Sequence, residues 1–486
     1  MEPALPKLQV SAFIDGGFEE PDGALTRLFD PATGEDFAGV SFVSREQTVK
    51  AITAARRAFD EGDWPRMPVF ERGQVLRAIA DGITARADDL TWLESVNGGK
   101  PVSGARREVA GAARVFNYYA GAVDKFFGDT IPVSNDILNF TLREPLGVVA
   151  QITPWNFPLL AAAWKLAPAL AAGCASLLKP SPLTPLSSLM LAEIIAGCGV
   201  PAGVVNILPG EAPVGKLLAE HEAIDGISFT GSTAVGAEVM RSAAATIKSV
   251  ALELGGKNAS IVFDDADIAK AARSAVGAAF GNAGQSCSAR SRILVQRSAI
   301  ADFSSAMVEE TTKLRMGSPL DPATTLGPLI SAAHWEHVDK SVRAAEKDGA
   351  ELLSGGRRPD ALKMGNFYSP TVLGNVSPDL SIYQNEVFGP VCSITPFETE
   401  EQAIHMANAS VYGLNGSVWS RDIGRALRVA RAVRTGMIAV NGLPSASSMS
   451  LFAPFGGYKR SGIGRELGMN ALSFYTEVKT VTVDLT

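Results

Sequence analysis

From Leu146 onward the chain alternates short apolar runs with helical stretches, and that rhythm restricts its fold more than any other feature. Residues 147–152 read as a strand, followed by a loop holding Pro154 and Pro158 and a helix over 161–171. Strands follow at 175–179, 204–208 and 226–230, separated by helices over 186–198 and 212–220, with a further helix after Gly231. Strands linked through helices run parallel, so the pattern predicts a doubly wound α/β sheet. Such sheets take ligands outside the carboxyl ends of their strands. After Leu254-Gly255-Gly256 the rhythm restarts, with strands expected near 259–263, 292–296 and 437–440.

The flanking segments differ in texture. Residues 45–61 carry Val49, Ile52, Ala55 and Phe59 at spacings of three and four, and 69–87 carry Val69, Leu76, Ile79 and Ile83. Both read as amphipathic helices. The tract 130–143 alternates weakly, as a strand or hairpin does. The final residues 476–486 form a single strand pattern with no hairpin partner nearby in sequence, so that strand must pair elsewhere, another subunit included.

At 486 residues the chain is long enough for about three structural units and a core without staples. Lys and Arg number 44 against 51 Asp and Glu, with the signs interspersed; no basic face marks a nucleic-acid partner. The opening Met1–Pro6 has an acid and two prolines where a signal peptide needs basic residues and an apolar run. The most apolar stretch, 159–178, is broken by Lys165, Pro168 and Gly173 and reads as buried helix and strand, with no membrane partner expected. Four cysteines without a CxxC pair point to a reduced, cytoplasmic setting.

Several familiar signatures fail. No GxGxxG follows a strand, and no GxSxG occurs. Gly231 to Gly236 has P-loop spacing, but Ala237-Glu238 stands where Lys-Ser/Thr must reach phosphate. His334-Trp335-Glu336-His337 could present two imidazoles to a metal, yet no further ligand cluster accompanies them. A surface helix is the expectation there, and no metal.

The informative thiol is Cys287, in GNAGQSCSAR, where small and polar residues surround it. A structural cysteine takes apolar neighbours, as Cys174 and Cys198 do; a nucleophile needs a tight, accessible loop. Carbonyl chemistry at a thiol also needs oxyanion donors and a base. Asn156, between Pro154 and Pro158, is either a rigid amide donor or a cap of the next helix. Glu253, at the end of an apolar run, is either a base with a raised pKa or a partner of Lys257.

Taken together, these motifs resemble the NAD(P)+-dependent aldehyde dehydrogenase superfamily, in its hydrolytic branch, over essentially the whole chain. The matching segments are TPWNFPLLAAAWKLAPALAAG, LLKPSPLTP, FTGSTAVG, ELGGK, GQSCSAR, NEVFGPV and PFGGYKRSGIGRE, in order. The 34 residues separating Glu253 from Cys287 also match the family's usual spacing. The resemblance implies Cys287 as nucleophile, Asn156 with the Cys287 amide as oxyanion hole, and Glu253 as the base that activates water against a thioester. Lys165 matches a lysine assigned to proton relay; a helix-surface salt bridge is the competing reading.

It further implies a cofactor surface of Thr153, Pro154, Trp155, Lys179, Ser181, Pro182, Phe229, Thr230, Gly231, Ser232, Gly236, Leu254, Glu386 and Phe388. Lys179 would contact the adenosine ribose, Thr230 to Ser232 the pyrophosphate, and Glu386, Phe388 and Leu254 the nicotinamide end. Many NAD-preferring members carry Glu where this chain has Pro182, which neither grips the ribose nor repels a 2′-phosphate. NAD is therefore the expected cofactor, with NADP left open. Phe157, Trp164, Ser286, Ser288 and Phe452 are the expected substrate-pocket residues.

The implied organisation is a Rossmann-like cofactor domain over 1–123 and 146–255, an α/β catalytic domain over 256–467, and a β flap over 124–145 and 468–486. That flap would build a homodimer or homotetramer. Two competing functions, a cysteine acyl hydrolase without redox chemistry and a non-catalytic member of the fold, differ by cofactor binding and by adduct formation at Cys287.

Overall fold

The computed structural model describes residues 8–21, 24–442 and 450–486. Met1–Pro6, read above as lacking a leader pattern, lies outside them. Two large sheets organise the chain. In the first, five parallel strands lie in the order Ser249–Glu253, Gly226–Thr230, Val148–Ile152, Ala175–Lys179, Val205–Ile207. Numbered along the chain, this is 5-4-1-2-3, the doubly wound arrangement. Connections leave strand one in opposite directions, so a crevice opens beyond the ends of Val148–Ile152 and Gly226–Thr230. Antiparallel strands extend the sheet on either side, Gly462–Ile463 at one edge and Phe13–Ile14 followed by Gly17–Phe18 at the other.

The helix Pro158–Ala172 follows the central strand. Pro158 occupies its first turn, where a missing N–H costs nothing, and Gly173 at φ 97° ends it in the left-handed conformation. Leu159, Leu166 and Leu170 are fully buried, and Val69–Ala85 and Val102–Ala120 pack on this helix. Its apolar character all round follows from that coverage.

The second sheet contains parallel strands Thr371–Gly374, Val391–Phe397, Arg292–Gln296, Ala259–Val262 and Gly416–Trp419, with Ala439–Val440 beyond. It has its own core, which includes Phe280, Leu294 and Val418. Three of these strands, at 371–374, 391–397 and 416–419, escaped the sequence reading. All are buried throughout or nearly so, and a short strand buried on both faces shows no alternation.

Thr130–Ser134 and Ile137–Pro145 form the expected hairpin. The terminal strand Thr476–Asp484 pairs antiparallel with Ile137–Pro145 from Thr476↔Pro145 to Asp484↔Ile137, so its partner lies in its own chain. Among the described residues no helix is long and apolar enough to cross a membrane.

Candidate active site

The helix Ile268–Phe280 is followed by three successive left-handed residues, Asn282 (φ 53°), Ala283 (φ 54°) and Gly284 (φ 70°). For a residue with a side chain this region costs about 1–2 kcal/mol, so surrounding contacts must impose the turn. Asn282 Nδ2 donates to the carbonyls of Asn156 and Gln285, each at 3.2 Å. Gln285 Nε2 donates back to Asn282 O at 3.2 Å, while its Oε1 accepts from Ile330 N at 2.9 Å. At Gly284 a β-carbon would stand 1.9 Å from the Gly389 carbonyl oxygen. The turn delivers Ser286, Cys287 and Ser288 to a cavity of about 460 Å³.

Asn156 and Glu253 line the same cavity, Asn156 in the loop after Val148–Ile152 and Glu253 as the last residue of Ser249–Glu253. Asn156 is buried and its Nδ2 donates to Gln285 O at 2.9 Å. An amide nitrogen carries two hydrogens, so one anchors the cysteine loop while the other stays available to a ligand. Thus the residue read as oxyanion donor also holds the thiol's own loop.

Glu253 is 3% exposed, and both carboxylate oxygens are buried without a hydrogen-bond partner. Burial first, and then the nearby Glu466 charge, push it well above the usual carboxylate range against Lys165 and Arg465. It does not pair with Lys257. The same forces act on the half-buried Cys287: burial, then Glu386, Glu253 and Glu466, push its thiol up.

Lys165 is not a surface residue. It is fully buried, ion-paired with Glu466, and donates to Ser228 Oγ at 2.8 Å. Glu466 lines the cavity, so Lys165 acts on the site through it. Glu466 lies in the quoted PFGGYKRSGIGRE segment, but nothing local marks it as facing Glu253.

On the cofactor side, Pro154, Trp155, Thr230, Gly231, Ser232, Leu254, Glu386 and Phe388 line the cavity. Ser232 caps the helix Thr233–Ala244, accepting from Val235 N at 3.4 Å, and Thr230 Oγ1 is buried with no partner. Glu386 accepts from Gly256 N at 3.0 Å; burial pushes it up to about 7, while that bond and Lys257 oppose the rise. A β-carbon on Gly255 would sit 2.1 Å from the same carboxylate, and one on Gly256 2.7 Å from the Cys287 carbonyl oxygen, so each glycine of ELGGK has its own close neighbour. Thr153, Lys179, Ser181 and Pro182 do not line this cavity; they lie at or just after the ends of the adjacent strands Val148–Ile152 and Ala175–Lys179, where Thr153 N donates to Lys179 O at 3.0 Å. Burial lowers the Lys179 ammonium to about 8, with Glu211 pulling the other way. Phe229 and Gly236 are packing residues and do not line the cavity. Phe229 lies in the core, and a β-carbon at Gly236 would meet Leu254 Cδ2 at 2.4 Å.

On the opposite side, Phe157, Trp164, Ser286 and Ser288 line the cavity as expected, with the two serine hydroxyls 3.1 Å apart. Phe452 does not: it is 68% exposed and leans on Tyr118. Phe455 takes the wall position instead, its ring 5.2 Å from Trp164. Sequence reasoning also missed Lys100, which lies 4.7 Å above the Phe157 ring and ion-pairs with Glu94 and Glu108. Nor is the 334–337 segment merely a surface helix, because His334 faces the cavity. Among the described residues no group of three or more His, Cys, Asp or Glu side chains is placed to hold a metal.

Gly284 and the neighbouring Gly281 give a matched test of the cysteine turn. Gly284→Ala is expected to destabilise the protein by about 2 kcal/mol or more. Gly281→Ala, whose β-carbon meets nothing within 4 Å, should leave the melting temperature near that of the parent.

Comparison with known proteins identifies the family. The pattern of the aldehyde dehydrogenase family matches residues 18–481. Betaine aldehyde dehydrogenase of Bacillus subtilis (strain 168) is 44% identical over 475 residues, covering 96% of each chain. Human retinal dehydrogenase 2 is 41% identical over 488 residues, covering 99% of this chain and 93% of its own. The solved betaine aldehyde dehydrogenase of Staphylococcus aureus in complex with NAD+ superposes with a TM-score of 0.96 at 41% identity, covering 99% of this chain and 96% of that one. The chain belongs to the aldehyde dehydrogenase family and is an NAD(P)-dependent oxidoreductase that converts aldehydes to carboxylic acids.

Proposed function

We propose that Cys287 is the nucleophile of this oxidation, Asn156 its oxyanion donor and Glu253 the base of the hydrolytic half-reaction, with NAD+ as hydride acceptor. The observation that carries this reading is the convergence of those three side chains on one cavity at the switch point of a doubly wound sheet.

The crevice suits a dinucleotide. The capped N-terminus of Thr233–Ala244 offers amide donors to a pyrophosphate. Thr230 Oγ1 is a buried hydroxyl lacking a partner, and Lys179 is a buried cation whose Nζ donates to the adjacent Pro180 carbonyl. Glu386 and Phe388 would hold the nicotinamide end. When bound, the nicotinamide supplies a hydride acceptor and a positive charge beside the thiol.

The chain's own groups do the rest. The Cys287 thiolate attacks the aldehyde carbon, and the oxyanion of the thiohemiacetal accepts a hydrogen bond from the free N–H of Asn156. Collapse of that oxyanion expels hydride and leaves a thioester on Cys287. Glu253, ionised, takes a proton from water as the water attacks the thioester carbonyl, and the tetrahedral adduct collapses with cleavage of the C–S bond to release the carboxylic acid and the Cys287 thiolate. Glu466 and Lys165 lie behind Glu253 and suit passage of that proton away from the cavity. The presence of Glu253 favours water over coenzyme A as acyl acceptor.

Aliphatic, aromatic or amino-substituted aldehydes suit a wall of Phe157, Trp164 and Phe455, in keeping with relatives named for betaine aldehyde, aminoaldehydes and retinal. We further propose the three-unit division given above, a cytoplasmic location, and assembly into dimers or tetramers. The last rests on the small sheet of Thr130–Ser134, Ile137–Pro145 and Thr476–Asp484, where Val133 and Val478 are more than half exposed.

Cys287→Ala should eliminate aldehyde-dependent NADH formation; a variant that kept it would refute the assignment. The Glu253 pKa is raised, so its base form is gained as pH rises, and the acid limb of kcat should lie above the ordinary carboxylate value of about 4.3. Glu253→Gln should remove that limb and lower kcat about 10²–10⁴-fold, while a burst of NADH from the first turnover remains. For cofactor choice, kcat/KM should be higher with NAD+ than with NADP+. Pro182→Glu should lower the NADP+ value by about tenfold more than the NAD+ value, through repulsion of the 2′-phosphate.

A further inference from the structure

The helix Ala332–Lys347 starts at Ser331, whose Oγ accepts from His334 N at 3.2 Å. That cap places His334 on the first turn, facing the cavity with its Nε2 2.8 Å from the Phe388 carbonyl oxygen. A carbonyl only accepts, so Nε2 carries the proton. Burial lowers the His334 pKa and the neighbouring His337 lowers it further, against the raising effect of the Phe388 bond. His337 stacks on it at 6.0 Å and 16°.

Phe388 holds φ at 59°, a left-handed backbone that a residue with a β-carbon keeps only where its surroundings require it. The His334 hydrogen bond lands on that strained residue. The same imidazole lies 5.6 Å from the Trp155 ring, which in turn lies 5.3 Å from Phe388, and the third side of the triangle, His334 to Phe388, is 6.2 Å. Each corner has a consequence for the site. Trp155 immediately precedes the oxyanion donor Asn156. Phe388 precedes Gly389, whose carbonyl fills the space a β-carbon on Gly284 would take. One side chain from a third segment thereby joins the loop of the oxyanion donor to the loop against which the thiol turn rests.

We propose that His334 is a positioning residue, holding Phe388 and Trp155 in register so that the nicotinamide end of the crevice is preformed. This rests on the cofactor reading above. Removal of the hydrogen bond frees a strained loop, so ordering it falls on cofactor binding and weakens affinity.

The test uses the intact enzyme and three variants. His334→Gln keeps an N–H donor, His334→Phe keeps a ring without one, and His334→Ala loses both. NAD+ titration, steady-state KM and kcat, and melting temperature are measured for each. The Ala and Phe variants should raise Kd and KM for NAD+ about five- to tenfold, more than they lower kcat, and Gln should restore most of the loss. Unchanged NAD+ affinity in the Ala variant would overturn the proposal. So would a loss of affinity that follows melting temperature across all three variants without rescue by Gln, since that marks packing alone. If the parent enzyme takes up no NAD+, the cofactor reading falls and this inference with it; if the parent binds and Ala binds equally, only the inference falls.

Discussion

Side-chain amides bridging two sheets hold this site together. Asn156 belongs to the loop after the central strand of the first sheet, and Asn282 and Gln285 belong to the turn before Cys287 in the second. Their mutual hydrogen bonds, Asn156 Nδ2 to Gln285 O and Asn282 Nδ2 to Asn156 O and Gln285 O, tie the Asn156 loop to the backbone that carries Cys287. Neither loop is regular structure, and the cysteine turn is strained by itself. The distance between donor and sulfur is thus set by bonds between the two units, not by either fold alone. A displacement of about 1 Å between reacting groups can cost about 10² in rate, so this bridge matters to chemistry as well as stability.

The same enclosure governs charge. Glu253, Glu386 and Glu466 share one cavity wall with a thiol, and desolvation raises the carboxylic acids Glu253 and Glu386 and the thiol together. Enclosure therefore opposes ionisation of the thiol and of both carboxylic acids. A positive charge beside Cys287 would oppose that effect at the sulfur, because opposite charge favours the ionised form.

The sequence made the chemistry legible and left its supports obscure. Cys287 stood out through its small, polar neighbours, and Asn156 through its bracketing prolines. Strand ends such as Thr230 and Glu253 fell where hydrophobic runs stopped. Asn282, Gln285, His334 and Glu466 do their work through contacts with residues 50 to several hundred positions away or through a strained turn, and no local pattern reports such contacts. Phe452 failed for a related reason: an aromatic near the pocket in sequence turned outward, while Phe455 turned in. The terminal strand's alternation announced an edge, but only the fold could supply Ile137–Pro145 as its partner.

The absence of GxGxxG is instructive on the same terms. That motif is needed where backbone must approach a pyrophosphate at a tight strand-to-helix turn. Here the turn after Gly226–Thr230 is made with Gly231 and a serine cap, and the helix is seated by Gly236 against Leu254. Close packing is obtained between helix and the next strand's end rather than beneath the phosphate. The strand order still opens the crevice in the same place, because topology, not the motif, creates it. Leu254 directly follows Glu253, so the residue against which Gly236 seats the helix Thr233–Ala244 adjoins the carboxylate that shares the cavity with Cys287; one short segment, 253–256, sets the position of both.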